Sequence, residues 1–140
     1  MSKAREDYVR EFHRVFTLSI NASPTVSLLK SRRNLIEEET KELLSDIDSA
    51  ISFLEEGKAV PQDIYTNMLK ELADVQVVIS GTSVALKPLQ KLEEAFKRVC
   101  DSNMSKLGED GKPILREDGK VLKGPHYFKP DLSDLLSDEK

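Results

Sequence analysis

Two pairs of carboxylates stand at a spacing that can hold a cation: Glu39 and Glu42 in Glu39-Thr40-Lys41-Glu42, and Glu71 and Asp74 in Glu71-Leu72-Ala73-Asp74. Residues three apart on a helix are neighbours on one face, so each pair sets two oxygen-bearing groups side by side. Hard divalent cations such as Mg²⁺ and Mn²⁺ take oxygen ligands, and two facing helices armed in this way could hold one or two of them. The acids are also unevenly spread. Residues 37–56 carry eight of the 25 acids in the chain and a single base, Lys41.

A helical wheel at about 100° per residue, with Ile36 as zero, puts Leu29, Leu43, Ile47, Ala50 and Leu54 within roughly 40° of it, which defines a buried stripe. Glu39 falls about 60° from the centre of that stripe. Glu42 borders it beside Leu35, Glu38 lies one step further round, and Glu37 lies on the opposite flank. Asp74 is the only charge in residues 72–86, a segment apolar nearly all round and expected to be the central buried helix. Glu71 falls between Ile64 and Val78. A carboxylate in such a place is costly unless it is paired or holds a metal. Lys70 stands one turn before Asp74 and can pair with it. Arg32, near the stripe, can pair with one more acid, and Lys41 lies on the far side. Two carboxylates are then left over. A bound cation answers that surplus. Surface acids combined with core ion pairs are the other reading of the same spacing. Neither His13 nor His126 follows a Glu by three residues, so the Glu-x-x-His pattern of di-iron bundles is missing.

The elements that must position these residues are helical. The chain has 140 residues, one domain's worth. Its six Gly and six Pro are few and fall largely after residue 107, which disfavours a strand-rich fold. A net charge of -4 and a pI near 5.3 argue against a dedicated nucleic-acid binder. One Cys excludes an internal disulfide and a Cys-based zinc site. No apolar run reaches the roughly 18 residues of a membrane span, and the charged start lacks a signal core, so a cytoplasmic protein is expected. Periodicity predicts helices over 3–17, 26–56 and from Pro61 to about residue 86. Another opens at Pro88 and carries the stripe Leu89, Leu92, Phe96 and Val99, with Asn103 at the next step and Cys100 in a core-like position. After Lys106 the pattern stops. Glu109-Asp110-Gly111-Lys112 is echoed by Glu117-Asp118-Gly119-Lys120, two turn signals around a short extended piece. A hairpin and a solvated flexible tail both fit.

Further residues carry a resemblance. The four acids sit 28 residues apart as Glu-x-x-Glu and Glu-x-x-Asp. They are entered by Leu35-Ile36-Glu37-Glu38-Glu39 and followed by Asn103-Met104-Ser105-Lys106, Lys123-Gly124-Pro125 and Tyr127-Phe128-Lys129-Pro130-Asp131. Over about residues 8–131 this resembles the MazG-like, all-α nucleoside triphosphate pyrophosphohydrolases, in the short form similar to the dUTP-active branch. The separation of the two motifs lies at the upper end of the family's range and implies a longer helix and loop through residues 55–62.

The resemblance implies an all-α, antiparallel four-helix-bundle-type fold that forms a homodimer or homotetramer. Residues 1–106 would be the helical part of a single domain, 107–131 a partly irregular arm covering the substrate, and 132–140 a tail. It implies Mg²⁺, with Mn²⁺ as an alternative, on Glu39, Glu42, Glu71 and Asp74. A nucleoside triphosphate such as dUTP would be cleaved to the monophosphate and pyrophosphate, a house-cleaning role in nucleotide pools. Glu38 and Glu39 are the catalytic candidates, Glu38 as outer ligand or general base, with a solvated glutamate as its plain alternative. Asn103, Lys106, Lys123 and Tyr127 are the substrate-binding candidates. Residues 103–130 hold six bases and four acids, a basic arm suited to a triphosphate. Phe12 or His13 could line a base pocket, or belong to the core or an interface. No nucleic-acid or membrane partner is expected. The rival readings are a phosphoribosyl-ATP pyrophosphohydrolase, and a non-catalytic helical dimer that serves as an interaction or nucleotide-sensing module.

Overall fold

The computed structural model describes residues 3–139. Residues 1, 2 and 140 of the expected domain and tail lie outside the described residues. The chain is mostly helical, with α1 (Arg5–Val15), α2 (Val26–Glu55), α3 (Gln62–Ala85) and α4 (Leu92–Met104). A 3₁₀ turn (Lys87–Leu89) separates α3 from α4. A short hairpin, β1 (Ile114–Leu115) with β2 (Val121–Leu122), and a 3₁₀ segment (Ser133–Glu139) complete the order. The chain divides into two compact units, Met1–Gln90 and Lys91–Lys140. That boundary falls one helix earlier than the change of composition at Lys106.

In the first unit, local chemistry sets the ends of the long helix. The Thr25 hydroxyl accepts a hydrogen bond from the Leu28 amide (3.1 Å), which satisfies one orphan donor at the start of α2. At the other end Gly57 takes φ +71°. The Lys58 amide donates to Phe53 O and the Gly57 amide to Leu54 O, the paired bonds of a Schellman stop. α1 ends in the same way on Thr17, with φ +59° and Leu18 N donating to His13 O.

α2 and α3 run antiparallel, since Arg32 meets Val78 and Thr82 while Asp46, further along α2, meets Glu71. α1 packs on α3. The best-buried stretch is the end of α3, where Ser80, Gly81 and residues 83–86 are buried. Its last carbonyls are held by one side chain and by the loop before α2. Gln90 Nε2 donates to Ser83 O, Val84 O and Leu86 O, and the Asn21 and Ala22 amides bond Val84 O and Ala85 O. The burial expected over residues 72–86 holds for that end and not for its start, where Leu72 is 52% and Val77 44% exposed; Leu69, just before it, is 71% exposed.

In the second unit the repeated Glu-Asp-Gly-Lys forms the same turn twice. Asp110 Oδ1 accepts from Lys112 N, and Asp118 Oδ1 from Lys120 N, with Gly111 and Gly119 at φ +74° and +87°. The second turn closes the antiparallel hairpin. The arm then lies on the last turn of α4. The Gly124 amide donates to Lys106 O, and a Cβ on Gly124 would fall 2.0 Å from Leu107 O. Ser102, the buried residue of α4, donates through Oγ to Phe128 O (2.7 Å).

Candidate metal centre

Glu39 and Glu42 on α2 and Asp74 on α3 each offer one carboxylate oxygen, and these oxygens lie within 4.8 Å of one another. Oxygens on opposite sides of a Mg²⁺ ion are about 4 Å apart and around Ca²⁺ about 5 Å, from their bond lengths. The set is therefore gathered to the size of one hard cation. The cause is the helix pair itself. The three-residue spacing puts Glu39 and Glu42 on one face of α2, and the antiparallel register brings Asp74 opposite. Lys70 donates to Asp74 Oδ2 at 2.7 Å, the pairing expected from its position one turn earlier, and this bond holds the Lys70 ammonium above its ordinary pKa.

The charge surplus is real in three dimensions. Glu39 Oε2 and Glu71 Oε2 are covered by protein and have no hydrogen-bond partner. Burial raises the Glu39 carboxyl above its ordinary value, and repulsion from Glu42, Asp74 and Glu38 adds to it, against a smaller opposing pull from Lys70. Glu71 is pushed further, to about 7, first by its side-chain hydrogen bond with Asp46, then by desolvation, then by the charges of Asp46 and Glu42. A covered carboxylate oxygen without a donor is an expensive arrangement. A cation bound by oxygen ligands removes that cost, so this donor set fits a hard divalent ion.

Glu71 departs from the expected four-acid grouping. It is paired with Asp46 and is not one of the three acids gathered within 4.8 Å. Asp46 is the residue that sequence reasoning missed, although the wheel contained it: four residues after Glu42, it falls about 20° from Glu39. Arg32 was expected to pair with an acid. Instead it is buried and donates to neutral acceptors, Thr82 Oγ1 (3.2 Å) and Val78 O (2.9 Å), and desolvation lowers its pKa. Lys41 pairs with Glu37 on the outer face. Glu38 is exposed and lines an open cleft along α2 with Lys30, Ser31 and Asn34.

His13 is a core residue, with Nδ1 donating to Ser19 O at 2.8 Å, whereas Phe12 is 45% exposed. Asn103, Lys106, Lys123 and Tyr127 all belong to the second unit. The arm's seat on α4 brings them into one neighbourhood there, through the Gly124–Lys106 and Tyr127–Gly124 backbone bonds. Lys123 Nζ stands 4.9 Å from the Tyr127 ring centroid, a cation–π distance. Asn103 is exposed, and Cys100, expected in the core, is exposed as well. The α4 stripe is apolar as read, but Phe96 and Val99 are uncovered.

No helix among the described residues is long and apolar enough to cross a membrane. Comparison with family models gives no match, and comparison with curated proteins gives none either.

Proposed function

We propose that this chain is a Mg²⁺-dependent nucleoside triphosphate pyrophosphohydrolase that releases the monophosphate and pyrophosphate, with dUTP the first substrate to try. The observation that carries the reading is the trio Glu39, Glu42 and Asp74 beside two covered, partnerless carboxylate oxygens. The motif resemblance directs that cation chemistry toward a triphosphate. When bound, Mg²⁺ neutralises phosphate oxygens and lowers the pKa of a water for in-line attack. Glu39, Glu42 and Asp74 would hold the ion. The raised Glu71 carboxyl beside Asp46 would limit the charge gathered at the site. Lys70 orients Asp74. Glu38, outside the trio and open to solvent, is the candidate to take a proton from water. Lys106, Lys123, Tyr127 and Asn103 are the groups offered to phosphate and base.

The working form in this reading is a homodimer or homotetramer. A mostly apolar cleft of about 420 Å³ between α1 and α3, lined by Tyr8, Leu69, Leu72 and Val77 among others, is the face offered to a second copy.

The test is turnover of a panel of nucleoside triphosphates and phosphoribosyl-ATP, with and without Mg²⁺, following monophosphate and pyrophosphate. Mg²⁺-dependent pyrophosphate release is expected. Release of orthophosphate would move the cleaved bond. No turnover of any substrate would leave the non-catalytic helical dimer as the better account.

A further inference from the structure

We infer that Arg32 is a positioning residue for the carboxylate centre, acting through a contact at Gly81 that sets how α2 lies on α3. The inference rests on the cation-binding reading of Glu39, Glu42 and Asp74. Arg32 precedes Glu39 by seven residues, two helical turns and about 10 Å along α2. Its acceptors Val78 and Thr82 follow Asp74 by four and eight residues on α3. The guanidinium and the carboxylates are therefore successive contacts along one helix–helix seam.

The contact is tight because α3 carries a glycine there, near its end. A Cβ built on Gly81 would fall 2.6 Å from Arg32 Nη2 and 3.0 Å from His13 Nε2. Side chains from α1 and α2 thus meet over the backbone of α3, and only a residue without a side chain admits both. Arginine termini are usually free to move aside. This one is 7% exposed and held by two hydrogen bonds to α3, while His13 is fixed by Ser19 O.

A buried guanidinium bonded only to neutral acceptors is poor value for stability, since a well-packed apolar side chain of similar volume commonly serves the fold as well or better. What the fork supplies is a defined distance between two helices. The ions in question are sensitive to that distance. Mg²⁺ demands near-ideal octahedral oxygen geometry at about 2.0–2.1 Å, and Mn²⁺, an ion of the same charge and only slightly larger, stands in for it, whereas Ca²⁺ tolerates bonds of about 2.3–2.6 Å and irregular coordination. A relaxed seam should harm Mn²⁺ binding more than Ca²⁺ binding.

The experiment titrates the full-length protein without nucleotide, using Mn²⁺ followed by electron paramagnetic resonance and Ca²⁺ followed by calorimetry, with thermal unfolding of each variant beside them. Arg32→Met is expected to keep or raise the melting temperature, to weaken Mn²⁺ binding about tenfold or more, as loss of a supporting group around a metal site does, and to weaken Ca²⁺ binding by much less. Gly81→Ala should reproduce the loss of Mn²⁺ preference by pushing the guanidinium off its acceptors. Arg32→Lys, which keeps the charge without the fork, should fall between wild type and Arg32→Met, and it serves as the readout if Arg32→Met does not fold. Unchanged Mn²⁺ affinity in Arg32→Met and Gly81→Ala would overturn the inference, as would equal loss of both ions, the mark of a merely structural role. Wild-type protein that binds neither ion would instead sink the carboxylate-centre reading on which this inference stands.

Discussion

The two ends of the α2–α3 seam handle buried polar groups in opposite ways. At the end where α1 meets the last turns of α3, here called the junction, Arg32, His13, Ser83 and Gln90 are covered or partly covered, and each makes hydrogen bonds. At the carboxylate end, two covered oxygens have no donor, and the contact with Asp46 pushes the Glu71 carboxyl up to about 7. Polar burial by itself is therefore not what marks a site in this chain. The unmet demand is, because a bound cation would relieve it.

The largest expected effect comes from removing that demand. Glu39→Gln or Asp74→Asn should lower hydrolysis by about 10³-fold, on the order of what loss of a key electrostatic group in an active site produces, with helix content unchanged by circular dichroism. Retained activity in either variant would place the cation elsewhere.

Next comes the pH response of the metal-free protein. Between the ordinary value of 4.5 and about 7, folded Glu71 keeps a proton that the unfolded chain has released. Stability should therefore fall as pH rises through that window. Saturating Mg²⁺ should flatten or reverse the slope, because the ion favours the deprotonated acids. Thermal unfolding from pH 4.5 to 7.5, with and without Mg²⁺, reads this directly. A smaller and more local change is expected from Asp46→Asn. It should bring the Glu71 carboxyl back toward the ordinary range, visible as a shifted titration of its side-chain carbon by NMR, while the junction end is unaffected.

The smallest effect belongs to the junction. Thr17 is β-branched and sits at φ +59°, a region costly for such a residue. Thr17→Gly should stabilise the fold by roughly 1 kcal/mol without moving metal affinity. A matching change in Mn²⁺ binding would mean that the stop of α1, and not only the Arg32 contact at Gly81, acts on the carboxylates.

How much of this was legible in the sequence follows from how local each signal is. The helix expected over 26–56 ends within a residue of α2, and the two Asp-Gly pairs marked the turns around the hairpin, because caps and turns are written within four residues. The carboxylate trio was legible because helical spacing carries over to a face. Asp46 could have been found from the same wheel, between Glu39 and Glu42, but its pairing with Glu71 depends on the register of two helices. The neutral partners of Arg32 and the crowding over Gly81 are tertiary and left no local trace. Periodicity also misjudged α4 and the middle of α3. It shows that Phe96, Val99, Leu69 and Leu72 share apolar faces, but not what covers them, and in the single chain they are exposed.

The most direct test is a crystal of the protein grown with Mn²⁺ and measured at the manganese edge. The account expects an anomalous peak between Glu39, Glu42 and Asp74, with Glu71 or Asp46 turned toward it. Well-ordered carboxylates at this seam with no peak among them, in crystals that hold manganese elsewhere, would contradict it.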